Sequence, residues 1–183
     1  MKFKKLAAIS LCALGAAAFG LSACGDEVSE YLDKMVSSAD RATTVVAQVT
    51  LTDGGVTVYT LERRIEVDVA TRTASVSDSK TVLSENFETV TTSTTVSVEN
   101  VTGKTIVGLK LSGGLTASYE IADGALSCTV PKDKITEALS RQVSASSDMT
   151  LSVGFENGNM TKAEYSYVNS SSRTVSVTVT YGY

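Results

Sequence analysis

The residue types able to do chemistry are unevenly supplied in this chain. None of its 183 residues is His, so the commonest general base and the commonest transition-metal ligand are missing. Ser and Thr are plentiful, but without His they form no conventional triad, and no Gly-x-Ser-x-Gly elbow occurs. Asp and Glu are scattered, and neither a calcium loop nor a catalytic carboxylate pair can be picked out among them. Gly103-Lys104-Thr105 looks like the end of a phosphate loop, yet Val98 stands where the upstream glycine belongs. That segment joins strand to strand and reads as a turn. Asn100-Val101-Thr102, Asn159-Met160-Thr161 and Asn169-Ser170-Ser171 fit the glycosylation acceptor pattern and read as turns too. The sequence therefore assigns no catalytic, cofactor or metal residue, and an enzyme is its least supported class.

One side chain remains of chemical interest besides the three cysteines. Arg63 shares the parity of Tyr59, Leu61, Ile65 and Val67, which puts its charge on a dry strand face, where it would hold an anionic headgroup in a pocket. The parity switch from Val56 and Val58 to Tyr59 calls for one extra residue between Val58 and Arg64. A β-bulge there is expected to return Arg63 to solvent, because an unpaired buried cation is costly. Cys128 alternates with Leu126 and Val130 and reads as a small buried hydrophobe.

Cys24 differs. Met1 to Lys5 carries Lys2, Lys4 and Lys5 with no acid, and Leu6 to Leu21 then runs without a charge. A basic start, an apolar centre and small residues before a break are the parts of an export signal. The run falls short of the roughly 20 apolar residues that cross a bilayer core. At its end, Leu21-Ser22-Ala23-Cys24 resembles the lipobox of bacterial lipoprotein precursors, with Leu21 apolar, Ser22 and Ala23 small, and Cys24 the modified residue. The resemblance implies a diacylglycerol on the Cys24 thiol and cleavage that leaves Cys24 first. Gly25 follows it, in place of the Asp that marks inner-membrane retention in enterobacterial lipoproteins. Each buried methylene contributes about 0.8 kcal/mol, so two or three acyl chains anchor stably where one does not. The expected address is the outer face of the cell membrane, or the periplasm or outer membrane where the organism has one. With Cys12 removed in the signal and Cys24 lipidated, Cys128 has no internal disulfide partner.

Removing residues 1–23 leaves about 160, one domain with a proper core. The whole chain is −4, and the mature part, without three signal lysines, is more acidic still. That argues against nucleic acid as a partner.

The elements that must position these residues are legible from periodicity. Val28, Tyr31, Leu32, Met35, Val36 and Ala39 form one helical stripe over about residues 26–41, with acids crowding the first turn. From Thr43 the pattern is period two. Asp53-Gly54-Gly55, Gly113-Gly114, Asp123-Gly124 and Asn157-Gly158 mark hairpin turns. Val90, Val96 and Val98 share parity with Thr92 and Thr94, as on an exposed edge strand. Val107, Leu109 and Leu111 read as a further strand. Strands are expected over about 43–130 and 149–181, with a second helix over about 131–143 beginning at Pro131. The expected class is α+β: a long curved antiparallel meander of about ten strands, one face covered by the N-terminal helix and the second helix.

In that outline the mature domain, residues 24–183, resembles the half-barrel folds of the lipoprotein-carrier family and its lipid-binding relatives in actinobacteria. The resemblance is architectural and implies a hydrophobic cavity under the helices for a lipid or other hydrophobic small molecule. The other reading is a structural or interaction domain of the cell envelope, with a filled core and a Ser/Thr-rich wet face that meets a partner or surface polymer.

Overall fold

The computed structural model describes residues 27–84 and 88–183. The segment read as an export signal, and Cys24 at its end, lie outside the described residues. Helix α1 spans Glu27–Ala39. Four strands follow: β1 (Thr44–Asp53), β2 (Val56–Asp68), β3 (Thr73–Leu83) and β4 (Thr89–Val98). A short helix, α2 (Gly103–Val107), precedes β5 (Ser118–Ala122) and β6 (Ala125–Val130). After the one-turn helix α3 (Ile135–Ala138) come β7 (Met149–Glu156), β8 (Asn159–Val168) and β9 (Thr174–Gly182).

All nine strands belong to one antiparallel sheet in the order β4-β3-β2-β1-β9-β8-β7-β6-β5. Two meanders, β1 to β4 and β5 to β9, are joined where β1 pairs with β9, from Thr44 opposite Gly182 to Thr52 opposite Thr174. The sheet is open, with β4 and β5 as its edges. Tight turns close the hairpins. Asp123-Gly124 and Asn157-Gly158 both place two successive residues at positive φ, the backbone that primed hairpin turns need.

Alternation divides the sheet into a dry inner face and a wet outer one. On the inner face Val45, Val49, Leu51, Leu126, Val153, Ala163, Val175 and Val177 are buried in one continuous core. Helix α1 packs on it through Val28, Tyr31 and Met35, and the Tyr31 ring meets Phe155 edge-on at 5.3 Å. Ser38, buried on the same helix, accepts the Met160 backbone N–H at 2.7 Å and hydrogen-bonds the Tyr183 hydroxyl. A single helix face thereby reaches both β8 and the end of the chain.

The expected layout needs three corrections. The segment read as a strand through Val107, Leu109 and Leu111 is α2 followed by irregular chain, so there are nine strands among the described residues. Thr102 starts α2 with a reciprocal capping box to Thr105, and Gly108 ends it in the left-handed region. The second helix, expected over 131–143, contracts to the single turn α3. With strand residues far outnumbering helical ones, the class is an antiparallel β fold with few helices.

The α1–α2 contact is unusually close. The Gly103 N–H donates to Asp40 Oδ1 at 2.6 Å, and a Cβ placed on Gly103 would lie 2.1 Å from the Val36 carbonyl oxygen. Neither backbone can give way cheaply, so Gly103→Ala is expected to destabilise the fold by about 1–3 kcal/mol, as overpacking typically does. Urea titration checks this. Gly114→Ala is the control, since only the Ser112 hydroxyl, at 3.8 Å, lies near its added methyl.

Candidate functional site

Strand register arranges the outer face into transverse rows that cannot be seen along the chain. Start at Ser118 on the β5 edge. It faces Thr129, which faces Thr150, which faces Ser166, which faces Ser176. Across the central seam Ser176 faces Thr50, then Thr60, Thr81 and finally Thr91 on the opposite edge. Each strand of the sheet contributes one β-hydroxyl to this row, at the roughly 4.8 Å spacing of paired strands. Neighbours bond within it, Thr150 to Ser166 at 3.1 Å and Thr81 to Thr91 at 3.0 Å. These hydroxyls retain capacity for more, since each can donate once and accept twice.

The adjacent row carries the carboxylates, with Glu120, Ser127, Ser152, Glu164 and Thr178 in register. A hydrogen bond from Lys162, joined by one from Thr178, holds the Glu164 carboxyl below its ordinary range, so it is ionised at neutral pH. Over β5 to β9 the two rows line a hollow of about 620 Å³. Most of its lining residues are Ser, Thr or Glu, and it lies on the face opposite α1.

The space under the helices is different. Between Val45, Ile65, Ile106, Leu139 and Tyr165 the cavity measures about 60 Å³. Small-molecule sites run from roughly 300 to 1,000 Å³. Met35, Leu126, Ile135, Met149 and Met160, all fully buried, fill the volume that a lipid would take. The hydrophobic half-barrel cavity expected from the sequence is therefore not open here, and the large hollow sits on the other side of the sheet.

Arg63 also departs from expectation. A register shift does occur, with Leu51 opposite Tyr59 and Thr52 opposite Thr57, so the extra residue is Val58. It precedes Tyr59 and leaves Arg63 on the inner face. There Nε and Nη2 each donate at 2.6 Å to the two oxygens of Asp78, directly across on β3. Both side chains are largely covered, at 15% and 24% exposure. The charge is thus kept on the dry face by a two-pronged pair. Sequence parity placed Arg63 correctly, and what it missed was Asp78, which only strand register supplies. The Gly103-Lys104-Thr105 segment, read as a turn, is the start of α2, and its Gly103 N–H is engaged by Asp40. Asn100 is a turn residue at φ 58°, Asn159 accepts from Arg41 at 2.8 Å, and Asn169 closes a loop by accepting from Ser171 and Arg173.

No family model matches the chain, and no curated protein does. Among solved structures it is similar to a redesigned β-barrel, mFAP1, bound to DFHBI, at a TM-score of 0.26 and 10% identity, over 79% of this chain and 98% of that one. A second is kievitone hydratase from Nectria haematococca, at 0.28 and 11%, over 81% and 49%. A third is a conserved protein of unknown function with a hot dog fold from Alicyclobacillus acidocaldarius, at 0.17 and 11%, over 81% and 84%. Likeness this low carries no argument about function.

Cys128 behaves as the sequence indicated. It is 6% exposed, and burial pushes its thiol up to about 11. A pKa raised in the folded state adds stability that is present below the unfolded value of about 8.5 and is lost as pH climbs through the folded one. At pH 8, thiol-specific labelling of Cys128 is expected to follow global unfolding in urea, with no reaction in the native baseline, as mass spectrometry would record. Rapid native labelling would mean an exposed thiol.

Proposed function

We propose that this chain is an exported, lipid-anchored binding domain of the cell envelope, without catalytic activity, whose working surface is the hydroxyl-lined hollow of β5 to β9. The observation that carries this reading is the contrast between the two faces. About 620 Å³ of open, hydroxyl-bearing hollow stands against about 60 Å³ beneath the helices. Such a surface suits a neutral, extended, polyhydroxylated partner, a glycan strand being the obvious chemistry. Hydroxyl rows offer donors and acceptors in alternation, and Glu120 and Glu164 add strong acceptors. An anionic polymer would meet the like charge of an acidic chain.

The anchor rests on Leu21-Ser22-Ala23-Cys24 and the export signal before it. Two or three acyl chains at Cys24 would hold the domain at the membrane while the groove meets the envelope polymer. Replacing Cys24 with Ala is expected to abolish incorporation of labelled fatty acid and to release or stall the precursor. A Cys24→Ala chain that stays membrane-bound and labelled would defeat the anchoring reading.

The binding reading is tested separately, by sedimentation of the chain with purified insoluble cell-wall glycan. Ser127→Arg and Ser152→Arg place bulk in the hollow from exposed positions, so the fold should survive. Each is expected to weaken retention about tenfold, equivalent to some 1.4 kcal/mol. Ser75→Arg, exposed on β3 and outside the hollow, should leave retention unchanged. Equal retention of all three variants would remove the hollow from the account.

A further inference from the structure

The two edges of the sheet are built differently. β5 is five residues long, carries Glu120 at its centre, and its Tyr119 hydroxyl donates to Glu27 of α1 at 3.1 Å. A short, charged, tied-down strand is how proteins blunt an edge. β4 has none of these devices. It runs unbroken through ten residues against β3 with no register shift, and Thr89–Val98 contains neither a charge nor a proline. Val90 and Val96 stand 55% and 56% exposed on it, and among the described residues no strand pairs with its outer side.

Its sequence says what fits there. Val90-Thr91-Thr92-Ser93-Thr94-Thr95-Val96 reads identically in both directions about Ser93. In an antiparallel pair of two copies centred on Ser93, Val90 faces Val96 of the other copy, Thr91 faces Thr95, and Thr92 faces Thr94. The backbone permits this register. Ser84 donates to Glu88 at 2.7 Å, so that pair is hydrogen-bonded, and alternation along the ladder turns even-numbered residues of β4 toward β3. Odd-numbered residues therefore present their N–H and C=O groups to the open side. Centring on Ser93 matches odd with odd, giving about ten new main-chain hydrogen bonds. The valines fall in the closer, non-hydrogen-bonded pairs, where side chains touch. Inner face continues as inner face, outer as outer, and no charge meets a like charge.

We propose that β4 is the seam of a two-fold symmetric homodimer, in which two nine-stranded sheets join edge to edge about Ser93. The palindrome lets the strand meet a second copy of itself like to like, and the two-fold axis through Ser93 makes the interface isologous.

Disulfide trapping tests the register in the full-length chain. Paired Ser93 residues would lie with Cα atoms about 5.5 Å apart, within the range a disulfide spans. Ser93→Cys is expected to give a covalent dimer on mild oxidation, above the background set by Cys12, Cys24 and Cys128 in the parent chain. Thr91→Cys should stay at background, because its counterpart lies about 13 Å away along the strand. Thr91→Cys combined with Thr95→Cys should link again. Adding Val90→Lys and Val96→Lys to Ser93→Cys opposes lysines across the seam and should cut linkage about tenfold, while Val90→Lys with Val96→Glu should restore it. Ser93→Cys at background, equal linkage through Thr91→Cys alone, or an adduct with a different protein in place of a second copy would each overturn the proposal.

Discussion

The pairing of β1 with β9 is the constraint on which the rest depends. It ties the first strand to the last, so two meanders become one sheet with one core. Val45 opposite Tyr181, Val49 opposite Val177 and Leu51 opposite Val175 set the inward parity at the centre. Every other strand inherits its facing from there, because a slip of one residue would turn each side chain to the wrong side. The inner face can then be covered by α1, and the outer hydroxyls fall into line across all nine strands. The same seam brings Tyr183 to Ser38 and Met160, so the chain's end also braces its helix.

Arg63 and Asp78 show how far that parity is enforced. A cation on a dry face costs more than a bulge would, and the bulge lies only five residues away at Val58. The bidentate pair with Asp78 offsets enough of the desolvation for the strand to keep its register. The pair also sits where helical cover thins out. Beyond β3 the inner face passes from Val76 to the exposed Val90 and Val96 of β4. The inner-face cations there are held in place, Arg63 by Asp78 and Lys80 over the Tyr59 ring at 5.5 Å, and the edge strand beyond carries no charge.

Much of the secondary structure was legible because it follows from local rules. Asn157-Gly158 and Asp123-Gly124 fixed their hairpins through backbone that few other dipeptides adopt. The stripe from Val28 to Ala39 became α1, and alternation from Val45 to Leu51 and from Val175 to Tyr181 became central strands. The exposed character of β4 followed from its Thr content. The failures have equally local causes. Val107, Leu109 and Leu111 alternate like a strand, but the capping box of Thr102 and Thr105 and the close seat of Gly103 on α1 claim the segment for α2 and a loop. In the stretch after Pro131 the helical spacing of Ile135, Ala138 and Leu139 is satisfied by a single turn.

The sequence by itself determined which residues are apolar, where the chain turns, and that position 128 carries a thiol inclined to burial. It also contained the palindrome about Ser93 and the Ser/Thr wealth of the wet face. Tertiary structure alone decided which hydroxyl stands beside which, that Asp78 lies across from Arg63, that β4 is an edge, and that the hollow opens away from the helices. The reason is that cross-strand neighbours such as Ser176 and Thr50 are far apart in the chain. Their meeting is dictated by strand order and register, which arise from the packing of the whole core and leave no mark in either strand's own pattern.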